Sequence, residues 1–133
     1  MDRSEMLALL SANTRGVMAT TAADGSPHVV PMLYALDGET ILSSGTEGRV
    51  RTRNLERDPR CTVTVFDEGN WFRWVTVKGM CEIRRANPVE ENERLYAMIT
   101  GHPPEDLAEY REAMVREQRI VYAISIERWY PSS

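Results

Sequence analysis

The sequence predicts a mainly β protein, a six-stranded antiparallel sheet closed into a small barrel with helices packed outside it. Three observations carry this prediction. Apolar and β-branched runs of strand length recur along the chain. Asp24-Gly25 and Asp37-Gly38, both hairpin-type turns, join the first three runs into a meander. Helical patterning is confined to the N-terminus, one arginine-rich segment and a late pair of helices, and closing the sheet removes its exposed edges.

Taken in order, Met6, Leu7, Leu9 and Leu10 form a short amphipathic helix after Ser4, a candidate N-cap, and the helix ends near Asn13. Strands follow from Gly16 to Thr21, His28 to Leu36 and Thr40 to Ser44, with Pro31 marking an edge or a bulge. Glu47 to Asp58 has helical composition and stops before Pro59. Cys61 to Phe66 is a further strand, and Trp71 to Ile83 a long one interrupted at Gly79. Asn87 caps a helix with Pro88 at its first position and Glu90 three after the cap, and that helix ends at Gly101. Leu107, Tyr110 and Met114 space a second helix after Pro103-Pro104, best read as core packing. Ile120 to Ile126 is the last strand, continuing into Trp129 and Tyr130.

Bulk properties narrow the function. The 133 residues suit one domain over 1–133, too small to enclose a dinucleotide-sized ligand alone, so a site shared between subunits is expected. A net charge of −4 argues against general nucleic-acid binding. No apolar run reaches the roughly 20 residues that span a bilayer, and the acidic N-terminus lacks a signal-cleavage pattern, so a cytoplasmic protein is expected. Cys61 and Cys81 read as buried, reduced thiols. His28 and His102 lack ligand spacing with them, and no metal site is expected.

One segment stands apart in composition. Thr46 to Leu55 carries Arg49, Arg51 and Arg53, with Arg57 and Arg60 following, in a chain acidic overall. A helix starting near Gly48 offers free N–H groups to a phosphate, and Arg49 and Arg51 add charge-assisted contacts. Ser43, Ser44 and Thr46 bring hydroxyl groups to the same place. These residues alone are not specific to an anion site, since surface arginine clusters are commonly solvated. A second constellation, Trp71-Phe72-Arg73-Trp74, alternates along a strand. It suits barrel core and a subunit interface, or stacking against a planar heterocycle. No Walker or Rossmann glycine fingerprint and no nucleophile–histidine constellation is present. Catalysis, if any, is therefore expected from a cofactor, with no catalytic side chain assigned.

The element order and three motifs resemble the pyridoxamine 5′-phosphate oxidase-like split β-barrel superfamily over nearly the whole chain. The motifs are Asp24 to Pro31, Arg49-x-Arg-x-Arg-Asn-Leu55 and Arg57-Asp58-Pro59-Arg60. The match is closest to the branch of coenzyme F420-dependent, flavin/deazaflavin oxidoreductases. The resemblance implies an FMN-binding-protein-like fold and a homodimer with two cofactor sites at the subunit interface. It assigns Arg49 and Arg51 to the cofactor phosphate or acidic tail, with Ser43, Ser44 and Asn54 nearby. It brings Trp71, Phe72, Arg73 and Trp74 from the neighbouring subunit. Arg51 stands where the family usually has lysine, which keeps the charge and changes the geometry. The expected activity is hydride transfer between F420 and a small conjugated substrate. FMN is the alternative cofactor, and a non-catalytic carrier the alternative role.

Overall fold

The computed structural model describes residues 1–131. Four helices and seven strands follow one another along the chain. They are α1 (Arg3–Ser11), β1 (Arg15–Thr21), β2 (Pro27–Leu33), β3 (Ala35–Asp37), β4 (Thr40–Thr46) and α2 (Val50–Arg57), then β5 (Arg60–Asp67), β6 (Asn70–Arg84), α3 (Pro88–Thr100), α4 (Leu107–Arg116) and β7 (Arg119–Tyr130). All strands belong to one sheet in the order β2-β1-β5-β6-β7-β4-β3. Every pairing is antiparallel.

Seven strands stand where six were expected, because the run from His28 to Leu36 divides at Tyr34. β2 pairs with β1, whereas β3 pairs with β4 at the far end of the sheet. The sheet therefore curls into a half-barrel, and the chain passes from one outermost strand directly to the other. Tyr34 is the pivot: it is fully buried, its N–H donates to the Thr14 carbonyl, and its hydroxyl donates to the Leu10 carbonyl at 2.7 Å. Pro31 lies on the edge strand β2, where its missing N–H interrupts no ladder.

Alternation fills the inside of the curl. Met18, Val63, Val65, Val75, Val77, Tyr122 and Ile124 pack there with Met6, Leu9 and Leu10 of α1, which plugs one end. Where β4 and β7 pair, the sheet is buried on both sides: Leu42, Val121 and Ala123 pack outward against Leu95 of α3. Gly79 sits at a bulge in a continuous β6, since a Cβ there would collide with the Ser125 carbonyl.

Several helix boundaries move. Asp2, not Ser4, caps α1, its carboxylate accepting from the Glu5 N–H at 2.8 Å. The arginine helix starts at Val50 rather than Glu47, because Arg49 is extended and its N–H closes a turn onto the Thr46 carbonyl. Asn87 precedes α3 without a side-chain cap bond, and Gly101 ends it at φ 84°. Among the described residues, no helix is long and apolar enough to cross a membrane.

Candidate functional site: an arginine-lined cavity beneath α3 and α4

A cavity of about 360 Å³ lies where the end of β2, the middle of β4, the start of α2, the α3–α4 pair and the first residue of β7 meet. Strand alternation sets its floor. Ser43 turns toward the inside and donates to the Leu33 carbonyl at 2.8 Å, tying the two ends of the curled sheet together. Ser44 turns toward α3 and donates to Asn92 Oδ1 at 2.6 Å. Asn92, itself 2% exposed, donates onward to the Pro88 carbonyl, and its own carbonyl accepts from the Tyr110 hydroxyl. The Ser44–Asn92–Tyr110 chain thus fixes α3 and α4 over the floor.

Arg51 dominates the chemistry. It is 4% exposed, and no carboxylate pairs with it among the described residues. Nη2 donates to the Ser44 carbonyl at 3.2 Å, and the guanidinium lies 4.8 Å from the centre of the Tyr122 ring. Nε and Nη1 are buried with no partner. Desolvating a guanidinium costs several kcal/mol. One charge-assisted hydrogen bond returns about 1.5–3 kcal/mol and a desolvated cation–π contact about 2 kcal/mol. The unmatched remainder, two sheltered donors on a residue that lines the cavity, fits an anion.

Tyr122 holds that geometry. Its hydroxyl bonds to the Thr52 hydroxyl, and Thr52 donates in turn to the Thr46 carbonyl at 2.6 Å. Its ring covers Gly45, where any Cβ would overlap it. Gly45 therefore makes room for the ring that supports Arg51.

The predicted site residues separate into three groups. Ser43, Ser44, Arg49 and Arg51 share the cavity, with Arg49 exposed at its rim. Thr46 and Asn54 serve the scaffold. Asn54 is 2% exposed, donating to Thr20 Oγ1 at 3.1 Å and accepting from Arg57 at 2.8 Å. Trp71, Phe72, Arg73 and Trp74 lie at the β5–β6 hairpin, apart from the cavity of their own chain. They are not in the core: Trp71 is 74% and Phe72 95% exposed. Sequence patterning missed Asn92 and Arg119, because nothing local marks them; only the approach of α3 and β7 to Ser44 brings them in.

The cysteines carry no site. Both are buried and free, and burial pushes each thiol up to about 12.

A family model described as pyridoxamine 5′-phosphate oxidase matches residues 3–133. The chain belongs to the pyridoxamine 5′-phosphate oxidase family. Within reach of that family, it is 26% identical over 127 residues to an F420H(2)-dependent biliverdin reductase of Mycobacterium tuberculosis, covering 93% of this chain and 83% of the relative. A solved F420 reductase is 27% identical with a TM-score of 0.73, covering 92% of this chain and 93% of that one. A FAD-binding protein from Mesorhizobium loti shares the fold at 24% identity and a TM-score of 0.72, over 97% of this chain and 90% of that one. Proteins named for F420 thus stand beside a protein named for FAD among those that resemble this chain, the last by its fold alone.

Proposed function

We propose that this protein is an F420-dependent oxidoreductase that moves a hydride between the deazaflavin and a small conjugated organic substrate. The observation that carries the reading is Arg51, a cavity-lining residue whose buried guanidinium keeps two donors without a partner. F420 presents a phosphodiester and a carboxylate tail, and its relatives named for F420 support that choice over a neutral ligand. When bound, F420 supplies hydride chemistry at its C5. The chain's own residues bind and orient: Arg51 holds the phosphate, Arg49 adds charge at the rim, and Ser44 and Asn92 keep the floor rigid. Excluding water from Arg51 strengthens its grip on the anion. FMN presents a phosphate to the same donors and is the second reading, favoured by the flavin-binding fold neighbour.

The working unit proposed is a homodimer. Pairing register places Val29 and Pro31 of β2 beside Ala19 and Val17 of β1, and Leu33 beside Arg15, on the outer face of the sheet. Phe66 of β5 and Trp74 of β6 are opposite one another on the same face. Leu33 is 53% exposed, Val29 56% and Phe66 and Trp74 38% each, an apolar patch of the kind that marks an interface. Pro31 and Leu33 belong to both this face and the cavity wall, so a second copy docked here adds to the cofactor site.

Fluorescence titration with F420 and FMN tests the cofactor assignment. Micromolar binding of F420, tighter than FMN, is expected; binding of neither sinks the proposal. Arg51→Met should weaken cofactor binding by about a hundredfold or more, as two charge-assisted bonds are lost. Its thermal midpoint should stay at or above that of the wild type, since an unpaired buried charge is removed. Wild-type affinity in that variant would place the anion elsewhere.

A further inference from the structure

Arg119 is the other guanidinium that reaches Ser44. It opens β7, and its register opposite Thr46 carries it across β4 toward the cavity. Its Nε and Nη2 both donate to one oxygen of Glu117, at 3.2 and 2.9 Å. That edge of the fork is occupied. Nη1 points the other way and lies 3.5 Å from the Ser44 hydroxyl oxygen, at the outer limit of a hydrogen bond. The Ser44 proton is already given to Asn92, so only a lone pair faces Arg119. The side chain of Arg119 is 23% exposed, enough shelter for a contact there to count.

Two guanidiniums therefore converge on one residue, Arg51 at its carbonyl and Arg119 at its hydroxyl, and both line the same cavity. Each keeps N–H groups without a good acceptor. We infer that Arg119 is a second anion ligand, forming with Arg51 a clamp that closes on one oxyanion beside Ser44. The inference rests on reading the cavity as the site of the cofactor's phosphate. It adds a ligand from the opposite end of the chain, and it sets a requirement: the group bound is an anion with at least two acceptor oxygens, a phosphate monoester or diester. Glu117 cancels the net charge of Arg119 but not its donors, so Arg119 contributes directional hydrogen bonds more than electrostatic attraction.

The experiment compares F420 with its phosphate-free deazaflavin riboside by fluorescence titration of wild type, R119Q and the double variant R119Q/E117Q. R119Q should weaken F420 about tenfold, the effect of losing one charge-assisted hydrogen bond, and leave the riboside unchanged. The double variant keeps the local net charge, so a persisting loss reports missing donors. Unchanged F420 affinity in R119Q overturns the clamp, as does an equal loss for both ligands, which reports damaged packing. A double variant that binds like wild type overturns it too, because Arg119 would then act only by neutralising Glu117. Failure of the wild type itself to bind F420 rejects the underlying cofactor assignment, a result distinct from all of these.

Discussion

Arg51 strands two buried donors at a cost in stability, which the proposed anion site would offset. A leucine or methionine there would pack against Tyr122 without stranding two donors, yet the chain buries a guanidinium beside a ring and a carbonyl. The support behind it is as particular as the residue itself. Gly45 leaves the space that the Tyr122 ring fills, and the Thr52 hydroxyl anchors the ring's far end. Gly45→Ala should therefore act at a distance. A methyl group forced into that contact is expected to cost about 1–3 kcal/mol of stability. It should also weaken F420 binding, because displacing the ring moves Arg51. Urea denaturation and titration of the same variant check both halves. A destabilised protein with wild-type affinity would mean that Arg51 does not depend on Tyr122. Residue chemistry at this site was partly legible in the sequence: Ser43, Ser44, Arg49 and Arg51 stood out as a group, and all four line the cavity. The resemblance put Asn54 near the cofactor, but Asn54 does not line the cavity. Its neighbours in space are Thr20 and Arg57, which satisfy it.

At the scale of elements, the strands were readable wherever alternation was clean, as in β5 with Cys61, Val63 and Val65 turned inward. The division of β2 from β3 was not readable. Tyr34 sits in an unbroken apolar run, and what interrupts the strand is a change of partner at opposite ends of a curled sheet. The start of α2 was set too early for a similar reason. Gly48 and Arg49 have helical neighbours, but the turn onto the Thr46 carbonyl holds Arg49 extended. The β5–β6 hairpin gives the sharpest prediction at this scale. Phe66 and Trp71 stack at 5.3 Å, tilted by 32°, and Phe66 and Trp74 are cross-strand partners on the outer face. Contacts of this kind exposed to water favour a partner of like shape and polarity. If the proposed homodimer pairs through this face, a dimer is expected for the wild type in analytical ultracentrifugation, and introducing charge through F66E and W74E together should give a monomer. Far-UV circular dichroism should be retained, because neither side chain belongs to the core. A dimer that survives this pair would move the interface off the β1–β2–β5–β6 face.

For the molecule as a whole, the fold was legible as a mainly β sheet with outer helices because its inward-facing residues obey a period of two along most strands. The curl was not, since it depends on which strands become neighbours after distant segments meet. That curl also determines how the protein responds to alkali. It encloses Cys61 and Cys81, whose thiols burial pushes up to about 12 from an ordinary value of 9.0. For Cys61 the neighbouring Cys81 and Glu127 add to the rise. For Cys81 an Ala123 hydrogen bond and the charge of Arg51 oppose it. Tyr34, buried beneath α1, is likewise raised above its ordinary 10.0. An unfolded chain releases these thiol protons as pH passes 9, while the folded chain retains them until about 12. Between those values the unfolded state binds fewer protons, so stability must fall as pH rises. Lys78 is the only lysine in the sequence, so the competing titrations in this window come mainly from tyrosine. The urea midpoint should hold steady from pH 7 to 8.5 and then drop progressively toward pH 11. Replacing both cysteines with alanine should flatten the part of that drop that begins near 9 and leave the later part, which belongs to tyrosine. An unchanged slope in the double variant would mean that the thiols are not enclosed by the folded sheet.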